Sequence, residues 1–340
     1  MKTASKAFVV AFCIVGLLLS SGCSPDTVGR GQPGALDSSA QSAKLTVAPL
    51  DRTGSSGSFK SLGSTATTAG LPTELPVYRV VPDEVTRSWV ESRAAKLGLT
   101  GDVAMDDRRF MVRGDSGAFE VEKDTGSFDY TTDAFVAQTQ PLVKVLDAKE
   151  YRARAESFLS NAGLMCSQAE FHDVNFDNVV GLYEGGRWVE RPYMIEVRFS
   201  HTPLGGIAFD KGVGPKIIVQ FGEDGKVLGA MSVWRNVERD RTYGLKTVDG
   251  ALAEVRHGDA QIFGVGKAAS GTIEDISLSY LNEPLGYEQI WVLPAYVMRG
   301  HLSDGTPFTT VSRAIPGDLL QVDDSLNDTA VSAPLSTGRK

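Results

Sequence analysis

The chain has 340 residues, of which 42% are hydrophobic and 22% charged, so it can bury a substantial core and does not have the composition of a disordered protein. Its formal net charge is −8. This acidic balance argues against a nucleic-acid partner, because proteins that bind nucleic acids usually carry a basic face.

Residues 1–22 have the pattern of an export signal. Lys2 and Lys6 precede a stretch of apolar and small residues that is shorter than the about 20 residues of a membrane-spanning helix. The run Leu19-Ser20-Ser21-Gly22-Cys23 resembles the lipobox of bacterial lipoproteins. The resemblance implies cleavage before Cys23, lipid such as palmitate on that cysteine, and a location at the extracytoplasmic face of the cell membrane.

Residues 23–74 are rich in Ser, Gly and Thr and poor in aromatic residues, and we expect them to form a flexible tether. A lipid-anchored domain needs such a tether, which favours the lipoprotein interpretation. The alternative is an ordinary secretory signal that is cleaved nearby, with Cys23 incidental.

The cysteines are consistent with an anchor at Cys23. Of the three in the chain, Cys13 lies within the signal, Cys23 is the lipid site, and Cys166 is left in the folded part. We therefore expect no disulfide within the folded part. Cys166 is expected to be a small buried residue, and its role stays open.

Helices followed by β-hairpins make up the pattern after the tether. Helical spacing predicts one helix that begins with Pro82 at its first position and ends at Gly98, and a second that is capped by Asp147 with Glu150 and ends at Gly163. A third, shorter helix is predicted over residues 248–256. Turn residues predict hairpins at 123–126, 223–226 and 303–305. In the strand over residues 288–299, Pro294 predicts an edge strand or a bulge.

This order predicts an α+β fold of tandem units, each with a helix packed on antiparallel β-hairpins. We expect a first unit over residues 75–145, a second and larger unit over residues 146–316, and a disordered tail over residues 317–340.

The helix-and-hairpin units, the run at residues 214–227 (GPKIIVQFGEDGKV) and the run at residues 293–297 (LPAYV) resemble PepSY-like extracytoplasmic domains and related membrane-anchored regulators of sensor kinases. The resemblance implies a binding or inhibitory module of the cell envelope. It transfers no catalytic residue.

One cluster of oxygen-bearing side chains has the spacing of a calcium loop. Asp173, Asn175, Asp177 and Glu184 match positions one, three, five and twelve of an EF-hand loop. Asn178 stands where that loop has glycine, and Val174 and Phe176 alternate as in a strand. Calcium is therefore a weak candidate, and the simpler interpretation is a polar strand and loop.

The sequence favours a non-catalytic binding or regulatory module without a cofactor, which has an envelope protein as its partner. One alternative is an envelope hydrolase whose site gathers dispersed residues such as His172, His201 or His301. The other is a calcium-stabilised binding module. The aromatic residues predicted in strands are expected to lie in the core; they are Trp188, Trp234, Trp291 and Tyr296.

Overall fold

Two large β-sheets, one short pair of strands and four α-helices make up the described part of the chain. This computed structural model describes residues 44–50, 59–201, 214, 216–265, 269–283, 285 and 287–327.

The helices are α1 (Arg87–Lys96), α2 (Asp133–Ala137), α3 (Ala148–Ala162) and α4 (Val248–His257). The helix α1 begins after Thr86, whose hydroxyl accepts a hydrogen bond from the Trp89 amide. The helix α3 ends at Gly163, which has the left-handed conformation (φ 71°) that glycine adopts without strain. None of the helices in the described ranges is long and apolar enough to cross a membrane.

The strands are short in the first sheet except for one hairpin of two long strands. Their bounds are β1 (Leu45–Val47), β2 (Phe59–Ser64), β3 (Glu74–Val80), β4 (Val103–Met105), β5 (Arg109–Gly114), β6 (Gly117–Glu122), β7 (Phe128–Thr132), β8 (Ala169–Glu184), β9 (Arg187–His201), β10 (Lys216–Phe221), β11 (Val227–Val233), β12 (Val237–Gly244), β13 (Gln261–Phe263), β14 (Ala269–Leu281), β15 (Trp291–Leu302), β16 (Pro307–Arg313) and β17 (Leu320–Val322). Short 3-10 helices span Glu223–Gly225, Gly317–Leu319 and Asp324–Asn327.

The first sheet has eight antiparallel strands in the order β4-β5-β6-β7-β11-β10-β9-β8. Each half is a helix followed by four strands, α1 with β4–β7 and α3 with β8–β11, and the halves join where β7 pairs with β11. The main core lies between one face of this sheet and the two helices. The sheet therefore continues across residue 145, where the sequence predicts a boundary between two units.

The second sheet has seven strands, with β12-β3-β15-β14-β2 along one path and β16 between β15 and β13. The helix α4 packs on it and closes a second core. Val80 of β3 pairs with Val237 of β12, and the Val81 amide donates to the Asn236 carbonyl over 2.8 Å. The first sheet and its helices are thus inserted between two neighbouring strands of the second sheet.

The predicted α+β class is confirmed: helices pack on mainly antiparallel sheets built from hairpins. The turns predicted at 123–126, 223–226 and 303–305 each connect the two strands of a hairpin.

The predicted tether and tail extend too far into the folded part of the chain. Within the segment expected to be a tether, β1 pairs in parallel with β17, and β2 pairs in parallel with β14. Leu45, Val47 and Leu62 are buried. Composition averaged over residues 23–74 hides these strands, because each has only a few apolar residues and is held by partners more than 200 residues away. Within the predicted tail, β17 (Leu320–Val322) pairs with β1, and short 3-10 helices lie on either side of it.

Pro294 lies in a central strand, and the prediction of an edge strand or bulge is wrong at this residue. The strand β15 pairs with β14 from Leu293 to Leu302 along one side, and on its other side with β3 at Trp291 and Val292 and with β16 from Ala295 to His301. Pro294 sits where β15 changes partner, so the missing N–H falls in a gap between two ladders.

Candidate interaction surface

A two-stranded arm projects from the first sheet. The strand β10 pairs with β9 only from Ile195 to Ser200, whereas β8 and β9 continue to pair with each other as far as Glu184 and Arg187. Residues 179–192, which we call the hairpin arm, therefore extend beyond the neighbouring strands. The loop amide of Leu142 donates to the Pro192 carbonyl at the base of the arm over 2.8 Å.

The local sequence explains why the arm is a regular hairpin. Both strands contain residues with high β propensity, among them Val180, Tyr183 and Trp188, and Gly185-Gly186 form the two-residue turn. Both glycines have positive φ, 56° and 83°. That conformation belongs to the type I′ turn, whose twist matches that of the flanking strands and which suits glycine at both positions.

One face of the arm carries an exposed aromatic pair. Tyr183 and Trp188 lie directly opposite each other, and their rings meet edge to face with centroids 5.6 Å apart. Tyr183 is 67% exposed and Trp188 74% exposed. The Trp188 ring also lies over Gly181, the residue without a side chain on this face. A contiguous exposed apolar patch can mark an interaction site, and Tyr183 and Trp188 form such a patch together.

The opposite face of the arm is also apolar at its centre. Val180, Leu182 and Val189 lie there and are half-buried. An isolated two-stranded hairpin is marginally stable in water, because it has no layer on which to bury its side chains. Both faces of the arm therefore have apolar surface that a partner can cover.

The arm carries no net charge. It contains Glu184, Arg187, Glu190 and Arg191, and Arg191 donates to Glu184 over 2.8 Å at the exposed surface. Such an exposed pair contributes little to stability. Its balanced charges give the arm no electrostatic attraction to a polyanion or to an anionic membrane.

A concave surface, separate from the hairpin arm, lies beside α3. It is an open groove of about 540 Å³ with Phe158, Phe221 and Val227 on its floor. The rim is polar and includes Arg154, which donates to the carbonyls of Asp224 and Gly225 over 3.0 and 3.2 Å. A groove this open can accept side chains of a larger partner but does not enclose a small molecule.

Buried charges join the two sheets at the end opposite the arm. Arg235 is 1% exposed and donates to the carbonyls of Glu283 and Tyr287 over 2.9 and 3.1 Å. Burial lowers the pKa of Arg235, and the carboxylates of Glu122 and Glu283 oppose that shift. Arg313 binds the Glu283 carboxylate at 3.5 Å and the Ala48 carbonyl, which ties β1 to the same cluster. The buried guanidinium groups of Arg235 and Arg313 thus connect the first sheet, the second sheet and the segment that follows β1.

The structure does not bring the weak calcium candidates together. Asp173, Asn175, Asp177 and Glu184 all lie along β8. At about 3.3 Å per residue, the eleven steps of strand from Asp173 to Glu184 span at most about 36 Å, far more than one metal site. Arg198 holds Asp173 by two hydrogen bonds of 2.7 Å, and Arg191 holds Glu184. In the described ranges, no group of three or more His, Cys, Asp or Glu side chains could hold a metal ion.

The histidines considered for a hydrolase lie on different sheets. His172 is on β8 of the first sheet, and His301 is on β15 of the second, where its Nδ1 lies 3.0 Å from the Glu274 carboxylate. His201 is the last residue of β9. His172 and His301 are therefore not gathered in one site.

The predicted lipidation site, Cys23, lies outside the described residues. Cys166 is half-buried against the main core. Burial, with a smaller effect from the Asp83 carboxylate, raises the pKa of the Cys166 thiol to about 11. The thiol is therefore protonated at neutral pH, unlike an activated nucleophile.

Trp188 was predicted to lie in the core, and this prediction is wrong. Trp234 and Tyr296 are buried as expected, at 4% and 3% exposure, but Trp188 is largely exposed. The useful signal was the Glu184-Gly185-Gly186-Arg187 run between two β-prone segments, which is typical of a tight hairpin. The alternation of apolar and polar residues does not show whether another element packs against such a hairpin.

Comparisons with known proteins give little further information. No family model matches the chain, and no curated protein matches it. A crystal structure of an uncharacterized protein from Eubacterium rectale ATCC 33656 is similar to it with a TM-score of 0.42 and 10% sequence identity, and the match covers 77% of this chain and 89% of that one.

Proposed function

We propose that this protein is a lipid-anchored, extracytoplasmic binding or regulatory module of the bacterial cell envelope, and that its hairpin arm contacts an envelope protein. The observation that carries the proposal is the exposed Tyr183–Trp188 pair on a hairpin that extends beyond its sheet. Binding requires no cofactor and no turnover, in keeping with the resemblance to PepSY-like domains.

The composition of the arm supports a protein partner. Tryptophan, tyrosine and arginine are the residues that contribute most often to binding energy at protein interfaces, and the arm contains Trp188, Tyr183 and two arginines. Its zero net charge gives no reason to favour an anionic lipid surface. The charged residues Glu184 and Arg187 flank the tip, where insertion into a bilayer would bury them.

The proposed anchor places the folded part close to the membrane. Twenty residues separate Cys23 from Lys44, the first described residue. Such a segment spans at most about 75 Å when fully extended. Two acyl chains on Cys23 would hold the protein firmly, because each buried methylene contributes about 0.8 kcal/mol.

The anchor is tested by labelling cells with a palmitate analogue. We expect the native chain to incorporate label and to enter the detergent phase, and the Cys23→Ser variant to do neither. Label that persists in Cys23→Ser, or native protein that stays in the aqueous phase, would contradict the anchoring part of the proposal.

The binding role is tested by crosslinking in intact cells that express the full chain. The double variant Tyr183→Ser/Trp188→Ser removes the aromatic pair, and Met105→Ser serves as the matched control because Met105 is 64% exposed but lies on β4, outside the arm. We expect a specific adduct with the native chain and with the control, and its loss in the double variant at an unchanged protein level. An adduct that survives in the double variant would exclude the arm as the contact.

A further inference from the structure

The outer edge of β8 is open, and only its last part is regular. Among the described strands, β8 is the end of the first sheet and pairs with β9 alone. Irregularities in the pairing fall between Phe171 and Asp173, between Asn175 and Asn178, and between Asn178 and Val179. Bulges protect an edge against pairing with other strands. The segment from Val179 to Glu184 has no such protection.

The backbone groups of the odd-numbered residues in this segment point outward. Val179 lies opposite Pro192, which has no N–H and gives its carbonyl to the Leu142 amide on the side away from β8. The Val179–Pro192 pair is therefore of the non-hydrogen-bonded type, in which both residues direct their backbone groups away from each other. Because this orientation alternates along a strand, Val179, Gly181 and Tyr183 present their N–H and C=O groups at the open edge.

This edge is complementary to itself. In an antiparallel pair, two residues that face each other direct their backbone N–H and C=O groups either both toward the other strand or both away from it. Facing residues in a symmetric pair of β8 edges must therefore both be odd-numbered or both be even-numbered. A two-fold axis at Gly181 places Val179 opposite Tyr183 of the second copy and Val180 opposite Leu182. All three outward residues then pair, and every apolar residue meets an apolar or aromatic one.

Other registers pair fewer of the outward-pointing backbone groups and apolar side chains of this edge. A two-fold axis at Leu182 places the charged Glu184 opposite Val180. It also places Val179 opposite Gly185, which belongs to the turn and not to the strand. An axis at Val180 leaves Tyr183 opposite Asp177, in the bulged region. The register centred on Gly181 is therefore the one that uses the whole regular segment.

We infer that the edge from Val179 to Tyr183 pairs with the same edge of a second copy of this chain, in a symmetric dimer centred on Gly181. Within the paired segment no charges oppose each other. Beyond that segment, Glu184 and Gly185 of one copy face Asn178 and Asp177 of the other, so no two charged residues stand directly opposite each other. An isologous contact of this kind closes after two copies.

Pairing doubles the surface to which we assign binding, and in this respect the inference rests on the proposed function. The two-fold axis is perpendicular to the sheet, so the Tyr183–Trp188 pairs of both copies lie on the same face. Five residues per copy bury much less than the about 800 Å² per partner of a typical stable interface, so the dimer should dissociate on dilution. Anchoring on one membrane raises the effective concentration and favours pairing there.

Cysteine trapping in the full chain tests the register. Opposed residues in a hydrogen-bonded pair have Cα atoms about 5.5 Å apart, which suits a disulfide. A Cβ added at Gly181 makes ordinary contacts, at 3.5 and 3.7 Å from the Trp188 ring. Glu190→Cys is the matched control: Glu190 faces Gly181 within the arm, but its two copies would be about 14 Å apart, three strand spacings.

We expect mild oxidation of anchored protein to give disulfide-linked dimers of Gly181→Cys well above the background of the native chain, and no such increase for Glu190→Cys. Equal trapping of both variants, or trapping of neither, would overturn the dimer. Circular dichroism of each variant shows whether the fold is retained.

A charge exchange gives an independent test by sedimentation equilibrium. In the proposed register, Val180→Lys/Leu182→Lys places lysines opposite each other, whereas Val180→Lys/Leu182→Glu places lysine opposite glutamate. We expect the first variant to associate at least about tenfold more weakly than the second, because like charges in cross-strand pairs are unfavourable. Equal association of the two variants would contradict the register.

The two proposals fail separately. If trapping fails but Tyr183→Ser/Trp188→Ser still abolishes the partner adduct, the dimer is wrong and the binding role stands. If trapping succeeds but the adduct persists in that variant, the arm is a dimer contact and does not bind the partner.

Discussion

Arg235 shows how single buried charges hold this fold together. Its guanidinium is out of reach of solvent and binds the carbonyls of Glu283 and Tyr287, at the end of the first sheet where the chain returns to the second. Removing one partner from a buried, hydrogen-bonded charge leaves the others without compensation in a medium of low dielectric constant. The arginine therefore matters more than its number of contacts suggests.

We predict that Arg235→Ala lowers the free energy of unfolding by about 3–5 kcal/mol. The control is Arg108→Ala, which removes an exposed ion pair with Glu288 (3.3 Å) near the same junction. That change should cost at most about 1 kcal/mol, because solvent screens the pair. Urea unfolding followed by circular dichroism measures both. Similar losses for the two variants would contradict the assigned role of Arg235.

Asp129 provides a prediction about pH. It lies opposite Glu120 on neighbouring strands, and desolvation, then repulsion from Glu120, raises its pKa to about 6. A folded-state pKa above the unfolded value means that the fold binds the proton more tightly. This residue therefore favours the folded state most at low pH, and that contribution is lost as pH rises from about 4 to about 6. Asp129 keeps part of its surface in contact with solvent, and that contact screens part of the effect.

Asp129→Asn should remove this pH dependence and raise the free energy of unfolding at pH 7 by roughly 0.5–1 kcal/mol, the usual cost of like charges in a cross-strand pair. Asp115→Asn, in the exposed turn between β5 and β6, makes the same change in net charge and should lack the effect. Unfolding curves between pH 4 and 8 decide the matter. A variant that is less stable than the native chain at pH 7 would show that Asp129 is stabilised in its ionised form.

At the scale of elements, the start of α3 can be compared with the capping box that the sequence predicts there. Asp147 caps the helix, because its carboxylate accepts a hydrogen bond from the Glu150 amide over 2.8 Å. Glu150 itself accepts from Arg154 on the next turn over 2.8 Å. The predicted N-cap is thus present, while the side chain of Glu150 serves an exposed ion pair.

We predict that Asp147→Ala destabilises the protein by about 1 kcal/mol, the usual contribution of an N-cap. Glu150→Ala should cost less than about 0.5 kcal/mol, because it removes an exposed pair within one helix. Thermal unfolding of the two variants at pH 7 compares them. A larger loss from Glu150→Ala would mean that the second half of the capping box dominates.

The helices α1, α3 and α4 were predictable because their signals are local, whereas the five-residue α2 was not predicted. Apolar residues at helical spacing, Asp147 at the start of α3 and Gly98 and Gly163 after α1 and α3 lie within one stretch of chain, and the predicted bounds differ from the observed ones by only a few residues. The hairpin turns were predictable for the same reason, since Gly126, Gly225 and Gly305 each have the positive φ that the turn requires.

The remaining elements depend on partners that the sequence does not place. β1 and β2 are short and gain their order from pairing with strands near the other end of the chain. The hairpin arm has the alternation of a covered strand, but β10 ends at Phe221 before it can cover the arm. Exposure of Trp188 is therefore a property of the sheet, and local patterning does not reveal it.

At the scale of the whole molecule, the two ends of the first sheet have different roles. One end is fixed by Arg235 and Ser127, whose hydroxyl donates to the Trp234 carbonyl over 2.7 Å, next to the second sheet. The other end carries the hairpin arm. The described chain begins with β1, which lies outside both large sheets and pairs with β17.

A photoreactive side chain at position 188 tests the central claim, that the arm contacts another protein, most directly. Trp188→p-benzoylphenylalanine and Met105→p-benzoylphenylalanine are expressed as full chains and irradiated in intact cells. We predict an adduct with a distinct envelope protein from position 188 and no comparable adduct from position 105. Equal adducts from both positions, or no protein adduct from position 188, would contradict the claim.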